Sequence, residues 1–312
     1  MTPTRGMAAV VVLTLVSAAA VAGCGLGPGQ ESDEKADLAV TRDYGEQELL
    51  TADARPADSE TVMRFLDRQA EIETRYGGGF VQSIEGVEGG TRDGRSVDWF
   101  FYVNGIEAGR GAAEFRVRGG DRVWWDHRDW TAVMRVPAVV GSFPEPFAHG
   151  YDGRRWPAAV RCVATGAAAP TCDTAAAQLR DEAVKAPVSA GPGSDSGQLR
   201  VLVGPWNAVR KDAAASVLER GPRHSGVFAR FGSGGRALSM LGVDGQPRRT
   251  LRAGAGLIAA VRPGDGPPTW IVTGTDGAGV EAAIAFLTEE DLKHHYAVVT
   301  TGEAGPIPVP IP

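Results

Sequence analysis

From Ala36 onward the chain alternates apolar and polar positions in short runs broken by turn residues. LAVTRDYG alternates as a strand does, and ELLTADAR follows a glycine-containing turn, so the two predict a hairpin. In PADSETVMRFLDRQAEIETRYGGG the spacing changes. Val62, Leu66 and Ala70 fall on one face, Asp58 or Ser59 can cap the start, and Gly77 to Gly79 stop it, which predicts an amphipathic helix. FVQSIEGV predicts a short strand. DWFFYVNG predicts a strand running into an Asn-Gly turn, the strongest short hairpin signal in the chain. AAEFRVRGGDRVWWDH predicts two more strands around Gly119 and Gly120.

Strand, strand, helix and then several strands are packed most economically as a mixed sheet wrapped around one helix, the β-grasp arrangement, over residues 38–135. Residues 136–157 carry several prolines and read as a seam. Beyond it, residues 158–312 read as a second domain. PAAVRCV, LRVLVGPW, GVFARF, ALSMLGVDG, AGLIAAVR, PTWIVTGT and HYAVVT predict strands. CDTAAAQLRDEAV, AVRKDAAASVLERG and GVEAAIAFLTEEDL predict helices. Such alternation implies α/β layers with a partly parallel sheet. A Pro-, Gly- and Ser-rich stretch at 186–198 reads as an internal flexible loop. The predicted class is therefore α+β followed by α/β.

The N-terminus needs separate treatment. An uncharged apolar run from Met7 to Ala22 follows Arg5 and is short for a bilayer span, which fits a signal peptide at 1–23. Val21-Ala22-Gly23-Cys24 resembles the bacterial lipobox, which implies cleavage before Cys24 and a diacylglycerol on its sulfur. Residues 24–37 then form a tether. The expectation is an extracytoplasmic protein held to the cell membrane by lipid without spanning it. In that oxidising compartment, Cys162 and Cys172 read as a structural disulfide. The formal net charge of −6 gives no general attraction for nucleic acid.

Of the seven tryptophans, four fall between Asp98 and Trp130. Successive side chains on a strand point to opposite faces, so Trp99 and Phe101 share one face while Phe100 and Tyr102 share the other. Trp124 and Trp125 likewise cannot both point inward. One face can serve the core, and the other needs a cover: solvent, the second domain or a ligand.

An aromatic strand ending in Tyr-x-Asn-Gly, with Gly-Asp-x-x-x-Trp downstream, resembles the C-terminal β-grasp domain of transcobalamin and intrinsic factor, which bacterial lipoproteins also carry. The matching residues are Trp99, Phe100, Tyr102, Asn104, Gly105, Phe115, Gly120, Asp121 and Trp125, and the resemblance spans roughly 38–129. It implies a domain that closes over a large planar corrinoid. In the vitamin carriers a helical toroid supplies the rest of the site, and this chain has no such toroid. The expected ligand-binding residues are Trp99, Phe100, Phe101, Tyr102, Asn104, Trp124 and Trp125. The expected function is ligand binding in support of uptake of a cobalamin-like compound. The alternative is a protein-interaction module that docks a transporter or a helical toroid protein.

Other candidates read as structural. Asp126-His127-Arg128-Asp129 favours ion pairing over a metal, and no metal or other cofactor is expected. Thr273 to Gly279 reads as a tight strand-to-helix turn without a phosphate-loop ending. His294 and His295 read as a helix end. No nucleophile or zinc-protease motif is present, so an enzyme is not expected.

Overall fold

The computed structural model of the chain describes residues 1–2, 32–163, 170–191, 197–302 and 304–312. Cys24, nearly all of the expected signal segment, the start of the tether and part of the 186–198 loop lie outside the described residues. The protein is a mixed α/β structure with two mixed sheets, two small antiparallel sheets and few helices.

In the N-terminal half, β1 (Ala36–Arg42) pairs antiparallel with β2 (Gln47–Ala54) and parallel with β9 (Arg122–Asp129). β9 pairs antiparallel with β7 (Arg95–Val103), which also carries β6 (Gly90–Arg92) and the short β8 (Ile106–Glu107). The Asn-Gly turn joins β7 to β8 with both residues at positive φ, 53° and 73°, as a tight hairpin turn demands.

The helix is shorter than the spacing predicts. α1 covers only Val62–Asp67 and is capped by Thr61, whose side chain accepts from the Arg64 amide. Residues after it form β3 (Ile72–Arg75), which pairs antiparallel with β4 (Phe80–Ile84), and β4 pairs with β5 (Val87–Glu88). The glycine run is thus a hairpin tip, not a helix stop. Ile72 and Thr74 suit a strand, and a partner strand outweighs modest helix propensity. The segment 112–118 is likewise no regular strand. It lies across the start of α1, where the Phe115 and Ala112 carbonyls accept from the Val62 and Met63 amides, groups that a helix start leaves unsatisfied.

The C-terminal sheet runs β11 (Val188–Ala190), β10 (Ala158–Cys162), β12 (Leu199–Pro205), β17 (Thr269–Gly274), β16 (Gly256–Val261), β18 (Ala297–Thr301) and β19 (Ala304–Val309). The first four are mutually parallel and the rest antiparallel. β11 falls inside the stretch expected to be a loop. The helix expected over 208–221 is replaced by the end of α3 (Trp206–Val209) and a 3₁₀ turn (Ala215–Arg220), with α4 (Pro222–Ser225) following it. A small antiparallel sheet of β13 (Ala229–Phe231), β14 (Leu238–Leu241) and β15 (Pro247–Leu251) follows. The last expected helix is divided into α5 (Gly277–Ala285) and α6 (Glu289–Leu292).

Strands buried on both faces explain the near-continuous apolar runs. Val201, Val203, Trp270 and Val272 pack with α5 and with α2 (Pro170–Asp181). Leu202, Ile271, Leu257 and Val299 point the other way, into a cluster that also holds Ala39, Tyr44, Tyr102 and Trp124 of the N-terminal half. The two halves therefore share a core. The 136–157 segment is packed rather than exposed: Val136 and Val139 join the shared cluster and Phe143 the α2 side. Cys162 and Cys172 are bridged, with Cα atoms 5.7 Å apart, tying the end of β10 to α2.

Candidate functional site

The β7–β9 register places Phe101 opposite Trp125 and Tyr102 opposite Trp124, so the two sheet faces carry different aromatic sets. On one face, Tyr102 and Trp124 are fully covered. Their cover is Tyr296, whose ring lies 5.7 and 5.4 Å from theirs, with His294 5.8 Å from Trp124. The second half of the chain, not a ligand, occupies this face.

Beneath that contact lies a buried polar chain. Asp126, fully buried, accepts from Thr41 (2.6 Å), the Tyr44 and Gly45 amides (3.1 and 3.0 Å) and the Tyr296 hydroxyl (2.9 Å). Trp124 donates to Thr41 at 2.8 Å, and Tyr102 donates to Tyr296 at 3.3 Å. Burial pushes the Asp126 carboxyl up from the usual range, and the hydrogen bonds pull against that. Burial also pushes the phenols of Tyr44, Tyr102 and Tyr296 upward, so they remain donors.

On the opposite face, Trp99, Phe101 and Trp125 pack toward α1 with Phe65, Phe115 and Val123. Phe101 stacks on Trp125 with centroids 4.9 Å apart and planes at 27°. Phe101 remains half-buried because a groove of about 490 Å³ opens above it. Trp99, Phe100, Phe101 and Trp125 line this groove together with Met63 of α1 and Phe80 and Val81 of β4. Gly109, Gly111 and Ala112 line the opposite wall, and Met134, Arg135, Arg262 and Asp265 complete the rim. Two apolar rim residues are exposed, Met134 (63%) and Phe80 (37%), and Tyr76 at the hairpin tip beside Phe80 is 87% exposed.

The groove's polar groups are partly compensated. Glu107 is buried and accepts from Arg135 at 3.0 Å, with Arg128 at 3.9 Å. Arg128, fully buried, donates to the Val133 and Met134 carbonyls (2.9 and 2.8 Å) and lies 3.7 Å over the Phe100 ring, a close cation–π contact. Trp99 donates to the Val87 carbonyl at 3.0 Å, whereas the buried indole N–H of Trp125 has no partner.

Of the seven expected ligand-binding residues, the groove gathers four: Trp99, Phe100, Phe101 and Trp125. Tyr102 and Trp124 belong to the contact between the halves, although Trp124 also lines a separate cavity of about 300 Å³ with Arg122, Glu289 and His294. Asn104 is buried and structural. Its side chain donates to Asp121 and to the Gly150 carbonyl and accepts from the Arg122 amide, all at 2.7–2.8 Å.

Strand alternation separates Asp126 and Arg128 from His127, whose Nε2 contacts the Glu88 carbonyl at 3.0 Å. Among the described residues, no group of three His, Cys, Asp or Glu side chains is placed to hold a metal ion. At the Thr273–Gly279 turn, Asp276 fills the helix start with its own carboxylate, accepting from the Gly279 and Gly254 amides at 2.9 Å. Phe80 beside the glycine run was a visible sequence signal for the groove. Met134, Glu107 and Arg262 reach it only through tertiary packing, and no local pattern marks them.

Residues 59–128 match a family described as "Domain of unknown function (DUF4430)", a stretch that takes in α1, β7 and most of β9. No curated protein matches the chain. Among solved structures, a putative metal binding protein from Ruminococcus gnavus is similar at 15% identity, with a TM-score of 0.25, over 31% of this chain and 98% of its own.

Proposed function

We propose that this protein is a membrane-anchored, extracytoplasmic ligand-binding lipoprotein that takes up a flat, largely apolar group in the groove over Phe101 and Trp125. The observation that carries the reading is that stacked pair, left half open under a concave apolar wall. Pockets of a few hundred Å³ with apolar linings and few polar groups are the common form of small-molecule sites. Cys24 would supply the lipid anchor, placing the groove at the membrane surface.

The reading includes a β-grasp N-terminal domain, supported by the parallel β1–β9 pair beside the β1–β2 hairpin and by α1 on one face. It also includes a role accessory to uptake of a cobalamin-like compound. A groove of about 490 Å³ encloses a drug-sized group, so a corrinoid would seat one part there and leave the rest for a second protein to cover. The protein is a binder in this reading rather than an enzyme. What supports that choice is that the polar cluster around Asp126 is buried and sealed from any substrate.

Calorimetric titration with cyanocobalamin and cobinamide tests the corrinoid reading. Micromolar or tighter binding that Phe101→Ala weakens supports it, and silent titrations of both contradict it. A second reading, a docking surface for another polypeptide, draws on the exposed Tyr76, Phe80 and Met134 along the rim. Capture of a transporter subunit in stoichiometric amount without added ligand, lost on Phe80→Ser, would favour it.

A further inference from the structure

We propose that the group held in the groove carries an anionic substituent, seated toward Arg262. This rests on the groove reading above and names the ligand class for it.

The argument is one of charge compensation. Glu107, the buried carboxylate of the groove, is already matched by Arg135 and Arg128. Arg262 is half-buried, and its guanidinium donates only to neutral backbone carbonyls, those of Gly266 (2.8 Å) and Asp265 (2.9 Å). It lies 5.6 Å from the Tyr151 ring centroid. The neighbouring Asp152 is engaged by Arg110 at 2.7 and 2.9 Å and by Arg118 at 3.4 Å. The Asp265 side chain sits on the exposed outer edge, where water screens it. With Glu107 matched by Arg135 and Arg128 and the Asp265 side chain exposed, Arg262 is the groove-lining cation without a buried counter-charge among the described residues. The partly desolvated charge left over is that of Arg262, and a planar guanidinium matches a carboxylate or sulfonate in a bidentate fork.

The test uses two near-isosteric probes, 2-naphthoate and 2-naphthamide, titrated calorimetrically into the full chain. The expected result is about tenfold tighter binding of the naphthoate, the contribution of one charge-assisted pair. Arg262→Gln should bring the two probes to equal affinity, while Arg262→Lys, which keeps the charge but not the bidentate fork, should retain part of the preference. Matching thermal melts show that both variants are folded. Equal affinities in the unaltered protein, or a preference that survives Arg262→Gln, would overturn the anion inference and leave the groove reading standing. Failure of both probes to bind would overturn the anion inference, and silence of cyanocobalamin and cobinamide as well would overturn the groove reading with it.

Discussion

Phe101 and Trp125, directly opposed on antiparallel strands, stack at 4.9 Å with planes at 27°, and only Trp125 is fully covered. The pair is at once the roof of the helix-side core and the floor of the groove. Phe101→Ala should therefore separate two effects. Loss of one half-buried ring and its stack costs about 2 kcal/mol of stability, a moderate fall in the urea midpoint. Ligand affinity should fall at least tenfold. A stability loss without an affinity loss would place the ligand elsewhere.

The contact between the halves should be brittle at Asp126. Tyr296→Phe removes one of four donors to a buried carboxylate and is expected to cost about 1–2 kcal/mol. Asp126→Ala strands the Tyr44 and Gly45 amides and the Tyr296 hydroxyl together, and should cost about 3 kcal/mol or more. Urea unfolding followed by tryptophan fluorescence compares the two. Equal costs would mean that the network is not organised around the carboxylate.

His294 gives the contact a pH dependence of known sign. Burial first, then Lys293, His295 and Arg122, lowers its pKa to about 4, while Glu48 sits 3.5 Å away and half exposed, too solvated to reverse the shift. A histidine depressed in the folded state binds its proton more readily when unfolded, so stability is full above about pH 6.5 and falls as pH drops toward 4. The loss attributable to this residue is at most about 3 kcal/mol. The buried carboxyls of Asp126, Asp121 and Glu145 are shifted upward and act in the opposite direction. The informative quantity is therefore the difference between the protein and His294→Asn, a residue that tolerates the position's φ of 59°. The variant should show a shallower loss between pH 6.5 and 4. An identical slope would remove His294 from the account.

The Cys162–Cys172 bridge closes a ten-residue separation. Replacing both cysteines with serine should lower stability by about 2–3 kcal/mol by freeing the unfolded chain. Binding in the groove, built from other elements, should be unchanged. A change in affinity would couple α2 to the groove through paths the packing does not show.

Much of this fold was legible in the residues. The Asn-Gly turn after Tyr102 fixed the β7–β8 hairpin, and alternation assigned Phe101 and Tyr102 to opposite faces. It also separated Trp124 from Trp125. What alternation could not reveal was the cover over Tyr102 and Trp124, because Tyr296 arrives from far along the chain. Helix lengths failed for a related reason. The 72–75 segment is compatible with helix locally and becomes strand because β4 offers a partner. The fragments over 206–225 are set by packing beneath the sheet, not by periodicity. Of the groove, the aromatic floor could be read in advance, whereas Arg262 and Met134 could not.

The most direct test of the central claim is calorimetric titration of the protein and its Phe101→Ala variant with one panel of flat ligands, cyanocobalamin and 2-naphthoate among them. The account predicts micromolar or tighter binding of at least one (roughly −8 kcal/mol or better), weakened at least tenfold in the variant. Binding that is indifferent to Phe101, or no binding across the panel, would contradict it.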